Sequence, residues 1–310
     1  MIDSPVLVLI GPTAIGKTAL SLELAEEFGC EIISVDSMQV YRHMDIGTAK
    51  PSAEEREKVA HHLIDVVDPD EQFDSAQFVR LVLPAIDTII TAGKIPLLTG
   101  GTGLYLRALL HGLFDHEATA DKAVREGLVR QLKHGGNAQL FTQLQKIDPE
   151  TASRIHQNDT QRLLRALEIY QVSGRTWSQH LQDQASPPVR FKKILQIGLN
   201  CDRQLLYERI GKRSEQMLRA GLVREVEGLR KMGYISSLPS MQSIGYRHAN
   251  NYIDGVWNMD ETMRLLIRDT RRYAKRQLTW FGSDPALHWF DRSATDDVIK
   301  FTENRLHDLS

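Results

Sequence analysis

Val6-Leu-Val-Leu-Ile10, Gly11-Pro-Thr-Ala-Ile-Gly-Lys-Thr18 and Ala19-Leu-Ser-Leu-Glu-Leu-Ala-Glu-Glu-Phe28 follow one another without a break, and this run decides the fold. The short apolar stretch reads as a buried strand and the periodic one as a helix. Between them lies a full match to G-x-x-x-x-G-K-[ST], a loop that cradles phosphates when it joins a strand to a helix. Gly11, Pro12, Thr13, Ala14, Ile15, Gly16, Lys17 and Thr18 are therefore the candidate diphosphate-binding residues. The two glycines let the backbone curl so that N–H groups turn toward an anion. Lys17 neutralises the anion, the helix N-terminus adds partial positive charge, and Thr18 offers a hydroxyl to Mg²⁺. The loop identifies a di- or triphosphate without saying which one.

Further apolar runs at Glu31-Ile-Ile-Ser-Val-Asp36, Ile95-Pro-Leu-Leu-Thr-Gly100 and Lys193-Ile-Leu-Gln-Ile-Gly-Leu199 alternate with helical patterns. That alternation predicts an α/β fold, a P-loop NTPase-like parallel sheet core flanked by helices. Residues 116–186 carry little strand signal and read as helices at 121–133, 137–146, 149–155 and 159–173. The expected organisation is a core from 1–115 and 187–310 around an all-helical insertion domain, 116–186, with Gln184-Ala-Ser-Pro-Pro188 as its closing hinge. Two long charged helices are expected at 203–231 and 260–280.

At 310 residues the chain can bury a large interior, and its net charge of −2 gives no global attraction to nucleic acid. Cys30 and Cys201 lack metal-ligand spacing and read as small apolar residues of a reduced, cytoplasmic protein. No signal segment and no membrane-spanning run is read, so no membrane is expected; the chain is taken as a monomer.

Ligands of open α/β sheets collect at the carboxyl ends of strands. Asp36 ends the second strand, where a carboxylate can hold Mg²⁺, take a proton from an acceptor, or cap the following turn. Gly100-Gly-Thr-Gly103 ends the third and reads as a close backbone approach or an ordinary turn. On the helix from 203, Leu206, Ile210, Arg213 and Met217 share one stripe. An arginine on an apolar stripe needs an anion, either a structural carboxylate or a bound phosphate, and Arg209 stands one turn back. Arg264, Arg268, Arg271, Arg272 and Lys275 form a basic stripe opposite the apolar face of the last long helix. Such a stripe is either a solvated, ion-paired face or a surface for a polyanion such as RNA. His61 and His62 read as structural or loop groups. On these residues alone, a small-molecule or nucleoside kinase stands first.

The ordered set of motifs resembles tRNA dimethylallyltransferases (tRNA isopentenyltransferases) over nearly the whole length. It comprises residues 11–18, Asp-Ser-Met-Gln-Val-Tyr at 36–41, Asp-Ile-Gly-Thr-Ala-Lys-Pro at 45–51 and His-His-Leu-Ile-Asp at 61–65. It continues with Gly-Gly-Thr-Gly-Leu-Tyr at 100–105, Gln-Arg-Leu-Leu-Arg-Ala-Leu-Glu at 161–168, Ser-Ile-Gly-Tyr-Arg at 243–247 and Ala-Lys-Arg-Gln-Leu-Thr-Trp-Phe at 274–281. The resemblance implies transfer of a dimethylallyl group from dimethylallyl diphosphate to N6 of the adenine beside the anticodon of tRNA. By resemblance Asp36 is the general base, Arg213 steadies the departing diphosphate, and Thr102 sits near the reacting nucleotide; these three are the catalytic candidates. The resemblance also assigns contacts with the tRNA anticodon stem-loop to Asp36, Ser37, Met38, Gln39, Thr102 and Arg125. It adds Gln161, Arg162, Leu163, Leu164 and Arg165, and then Gln242, Ser243, Ile244, Gly245, Tyr246 and Arg247. Gln242 stands where some members have arginine, and the Cys/His finger of eukaryotic members is missing. An isopentenyltransferase acting on free adenine nucleotides and a non-catalytic RNA-binding protein are the other readings.

Overall fold

A computed structural model describes residues 1–112, 121–183 and 189–309, so the expected hinge at 184–188 lies outside the described residues. In chain order the elements are β1 (Val6–Ile10), α1 (Lys17–Phe28), β2 (Cys30–Val35), α2 (Ala53–Lys58), β3 (His61–His62), α3 (Ser75–Thr91) and β4 (Ile95–Gly100). There follow α4 (Gly103–His111), α5 (Lys122–Ile147), α6 (Pro149–Arg154), α7 (Thr160–Ser173) and α8 (Trp177–Gln182). The rest comprises β5 (Ile194–Asn200), α9 (Arg203–Ala220), α10 (Leu222–Lys231), α11 (Tyr246–Ile253), α12 (Met259–Phe281), β6 (His288–Asp291) and α13 (Thr295–Leu309).

The chain divides into two compact units, Met1–Arg107 with Val189–Ser310, and Ala108–Pro188. The first is built on a six-stranded, wholly parallel sheet of order β3-β2-β4-β1-β5-β6. All of β1 is buried, as expected of a parallel strand covered on both faces. It pairs with β4 on one side (Leu7 with Leu97) and with β5 on the other (Val6 with Ile194). The late strand thus returns to the same sheet, and its core packs β1, β4 and β5 against α1, α9, α12 and α13. Because β4 lies between β1 and β2, the loops after β1 and β2 flank a cleft.

The expected continuous helix 203–231 is two helices. Gly221 adopts φ 106°, a left-handed conformation that ends α9 and redirects the chain into α10. A second apolar cluster then forms, in which Leu222 and Val226 of α10 pack with Val40, Met44 and Tyr246. Glu225 of α10 accepts N–H groups of Asp45, Ile46 and Gly47 at 3.0, 2.8 and 3.2 Å. The nearly buried Lys50 ammonium pairs with Asp45 and Asp65, both at 2.6 Å. The motifs at 45–51 and 61–65 are therefore bound to each other and to α10, as scaffold.

In the second unit α5 kinks at Gly136 (φ 66°, ψ −176°), between the two helices expected there. Its core contains Leu128, Leu140, Leu144, Leu163, Leu164 and Leu167. Leu163 and Leu164 are thus buried, and the surface of α7 belongs to their polar neighbours. Arg125 of α5 donates to Gln161 at 2.9 Å, while Arg125 and Arg165 reach the buried Glu168 at 3.5 and 3.0 Å. Arg162 is exposed and pairs with Asp159 at 3.4 Å.

Candidate active site

At the carboxyl end of β1 the carbonyls of the loop 11–18 are held by cations. Lys17 Nζ donates to the carbonyls of Gly11 and Pro12 at 2.9 and 3.0 Å, and Arg209 Nε to that of Ala14 at 2.7 Å. Arg292 Nε donates to the Ile15 carbonyl at 3.1 Å. Gly16, at φ 114°, makes the left-handed turn into α1, whose first N–H groups have no intrahelical acceptor. Arg209 thus braces the cradle through a carbonyl, and Arg292, after β6, does the same without any signal in the local sequence.

Gln277 of α12 closes the other side. Its Oε1 accepts the Thr13 N–H at 2.8 Å and its Nε2 donates to the Gly101 carbonyl at 2.9 Å. The glycines at 100–103 are explained by these protein neighbours. A Cβ on Gly100 would lie 2.1 Å from the Val35 carbonyl oxygen, on Gly101 2.1 Å from Gln277 Nε2, and on Gly103 2.2 Å from the Trp280 ring. Close approach is indeed required, but to β2 and α12. Thr102 Oγ1 accepts the Ser37 N–H at 3.0 Å and contacts the Tyr273 hydroxyl. Burial, with Asp36 nearby, pushes that phenol well above its usual range.

Asp36 emerges at the end of β2. Its Oδ1 accepts the Met38 N–H at 2.8 Å and the Gln39 N–H at 3.4 Å, so it does cap the following turn. The side chain also lines a cavity of about 650 Å³ with Lys17, Thr18 and Arg213. Among the described residues Asp36 is the one carboxylate lining it, against the cations Lys17, Arg209, Lys212, Arg213 and Arg276. Burial and the Arg213 charge together lower the Lys17 ammonium to about 7, and Asp36 opposes both. Burial likewise lowers the Arg213 guanidinium; Asp36 raises it and Arg209 lowers it. Among the described residues no carboxylate forms an ion pair with Arg213, so its place on the stripe is not explained by a structural partner. Ile32, Ile210, Met217, Ile244 and Leu266 give the same cavity an apolar wall.

Ser37, Met38, Gln39, Ser243, Ile244 and Gly245 also line the cavity. Gln242 is exposed and donates to the Ser236 carbonyl at 2.6 Å, and Arg247 pairs with Asp269 at 2.5 Å. Tyr246 is buried in the second apolar cluster, with its hydroxyl on Glu225 at 2.6 Å. His62 bonds Glu31 at 2.7 Å and ties β3 to β2, as a structural group should. His61, by contrast, lines the cavity, with Nδ1 2.7 Å from the Val59 carbonyl.

A family model described as IPP transferase matches residues 39–284. The tRNA dimethylallyltransferase of Desulfotalea psychrophila is 52% identical over 298 residues, covering 96% of this chain and 94% of that protein. The one from Acetivibrio thermocellus is 46% identical, covering 96% and 95%. The full-length tRNA isopentenylpyrophosphate transferase of Bacillus halodurans superposes with a TM-score of 0.73 at 40% identity, over 99% of this chain and 98% of that one. A eukaryotic dimethylallyltransferase acting on tRNA gives a TM-score of 0.83 at 28% identity, over 98% and 80%. With these matches spanning nearly every residue, the chain belongs to the IPP transferase family.

Proposed function

We propose that the protein transfers the dimethylallyl group of dimethylallyl diphosphate to N6 of the adenine beside the anticodon of tRNA, releasing diphosphate. The observation that carries this is one cavity that joins an anion cradle, a single carboxylate and an apolar wall. In the reaction the allylic C–O bond breaks, its electron pair leaves on the diphosphate, and the adenine amine bonds to the freed carbon. Lys17, Arg213 and the loop N–H groups stabilise the growing negative charge. Asp36 accepts the proton that the amine sheds, with Oδ1 anchored by the turn. Thr102 and Gln277 hold the two loops in register.

The donor set fits Mg²⁺. The Thr18 hydroxyl lines the cavity, and the described residues contain no cluster of three His, Cys, Asp or Glu. Mg²⁺ commonly takes few protein ligands and completes its shell with substrate phosphates and water. Thr18 would hold it, and the ion supplies further neutralisation of the departing diphosphate.

The adenine must leave its stack to enter, at a cost of a few kcal/mol, roughly. The exposed Gln161 and Arg162 and the half-buried Arg125 and Arg165 of the helical unit are the proposed RNA contacts there. The working unit is a monomer in the cytoplasm; no described helix is long and apolar enough to cross a membrane. Mass analysis of an anticodon stem-loop after incubation with dimethylallyl diphosphate and Mg²⁺ tests the reading: one added dimethylallyl group is expected. Modification of AMP but not of the RNA, or phosphate transfer from ATP, overturns it.

A further inference from the structure

A second concave surface lies between α9 and α12, a groove of about 570 Å³ lined by Arg203, Tyr207, Ile267, Arg271 and the other cations of the α12 stripe. Three of those cations already have a carboxylate partner: Arg264 pairs with Glu261 at 2.6 Å, and Arg268 and Arg272 share Asp269 with Arg247, at 2.8 and 3.6 Å. The remaining three are not. The guanidinium groups of Arg203 and Arg271 sit over the Tyr207 ring, 5.1 and 4.9 Å from its centroid. Arg203 Nε also donates to the Tyr207 hydroxyl at 3.1 Å, and Arg271 Nη2 to the Tyr207 carbonyl at 3.4 Å. Among the described residues, Arg271 Nε is buried with no acceptor, and Lys275 is exposed with no carboxylate beside it.

Two guanidinium groups fixed on one aromatic ring repel each other, and no carboxylate lines the groove to offset this among the described residues. Cation–π contacts hold them in place while leaving N–H donors free for another acceptor. The cations recur at 264, 268, 271 and 275, about 6 Å apart along some 16 Å of helix at 1.5 Å per residue. A row of that kind suits a linear polyanion better than a compact one. The chain as a whole carries −2, so the attraction is local to this face.

We propose that the α9–α12 groove is a second RNA-binding surface, taking consecutive phosphates of the tRNA backbone on Arg203, Arg271 and Lys275. This rests on the function proposed above and adds a surface outside the cavity and outside the helical unit. Phosphate contacts position an RNA without reading its sequence.

The test is fluorescence-anisotropy titration of labelled full-length tRNA, and of an unrelated RNA of equal length, across a series of KCl concentrations. The Arg203→Gln/Lys275→Gln pair changes exposed side chains only, and Arg271→Gln is the second variant. For the pair, Kd is expected to rise at least about tenfold for both RNAs, and the salt slope to fall by about one per lost contact. Affinity for dimethylallyl diphosphate should not change. Arg271→Lys, which retains the charge, should recover most of the loss. Unaltered Kd and salt slope in the pair and in Arg271→Gln overturn the proposal. If the wild-type protein transfers no dimethylallyl group to RNA but the variants still lose RNA affinity, the groove stands and the proposed function falls. Normal transfer by the wild type, with RNA binding unaltered in the variants, removes the groove and leaves the proposed function standing.

Discussion

Replacing Asp36 by asparagine separates two duties that the structure gives to one side chain. Oδ1 caps the turn through Met38 and Gln39, and asparagine keeps an acceptor oxygen there. Hydrogen bonds to a charged acceptor contribute about 1.5–3 kcal/mol and to a neutral one about 0.5–1.5, so stability should fall by about 1 kcal/mol. The proton acceptor, however, is gone. General-base catalysis contributes ~10²–10⁴-fold, or about 3–5 kcal/mol of barrier. Asp36 is also the carboxylate that opposes the positive charge around Lys17 and Arg213, so removing it leaves the cavity more cationic. Donor affinity should therefore hold or improve while the chemical step collapses. Single-turnover transfer to an anticodon stem-loop, run beside urea unfolding and donor titration, reads all three. A single-turnover rate within about threefold of wild type refutes the base assignment, whatever happens to stability. Asp36→Ala is the poorer experiment, because it removes cap and base together.

Gln277→Leu strands the Thr13 N–H and the Gly101 carbonyl, each worth about 1–3 kcal/mol when buried and unpartnered; urea unfolding should show a loss of about 2–4 kcal/mol. Its kcat should fall more than donor affinity does, since the two loops lose their register; equal kcat in a destabilised protein assigns Gln277 to stability alone. Donor binding should take up a proton at alkaline pH. Lys17 lies near 7 in the free protein, a bound anion raises it, and so affinity should fall as pH rises through about 7. Calorimetry in buffers of different ionisation enthalpy at about pH 8.5, where the donor's terminal phosphate is already ionised, should show proton uptake in the wild type and none for Lys17→Met. Arg213→Ala should weaken donor binding or slow diphosphate departure by at least about tenfold, as expected for loss of a charge-assisted contact; a change confined to melting temperature counts against that role.

The parts of the site that sequence reveals are those whose chemistry is local. Residues 11–18 carry their own strand, turn and helix start, and Asp36 follows β2 directly, so both were legible. Arg213 was legible as a charge on an apolar stripe. Gln277 and Arg292 were not, because what makes them matter is a loop carbonyl or N–H brought from the far end of the chain. A contiguous motif also hides its inner and outer faces. Within 161–165 the two leucines turn inward while Arg162 stays exposed, and within 243–247 Tyr246 faces the core while Ser243, Ile244 and Gly245 reach the cavity. In the sheet, β3 and β6 escaped notice: one is only two residues long, and β6 is mostly exposed at an edge, so neither shows an apolar run.

The clamp between Thr13 and Gln277 spans 264 positions of chain. A ribosome therefore releases the phosphate motif long before the residue that seals it, and β4 must slip between β1 and β2 in the interval. Contacts so distant in sequence form late and slowly. A nascent chain halted before α12 carries an intact glycine loop and yet no finished cavity, so competence to react arrives only once α12 has been made.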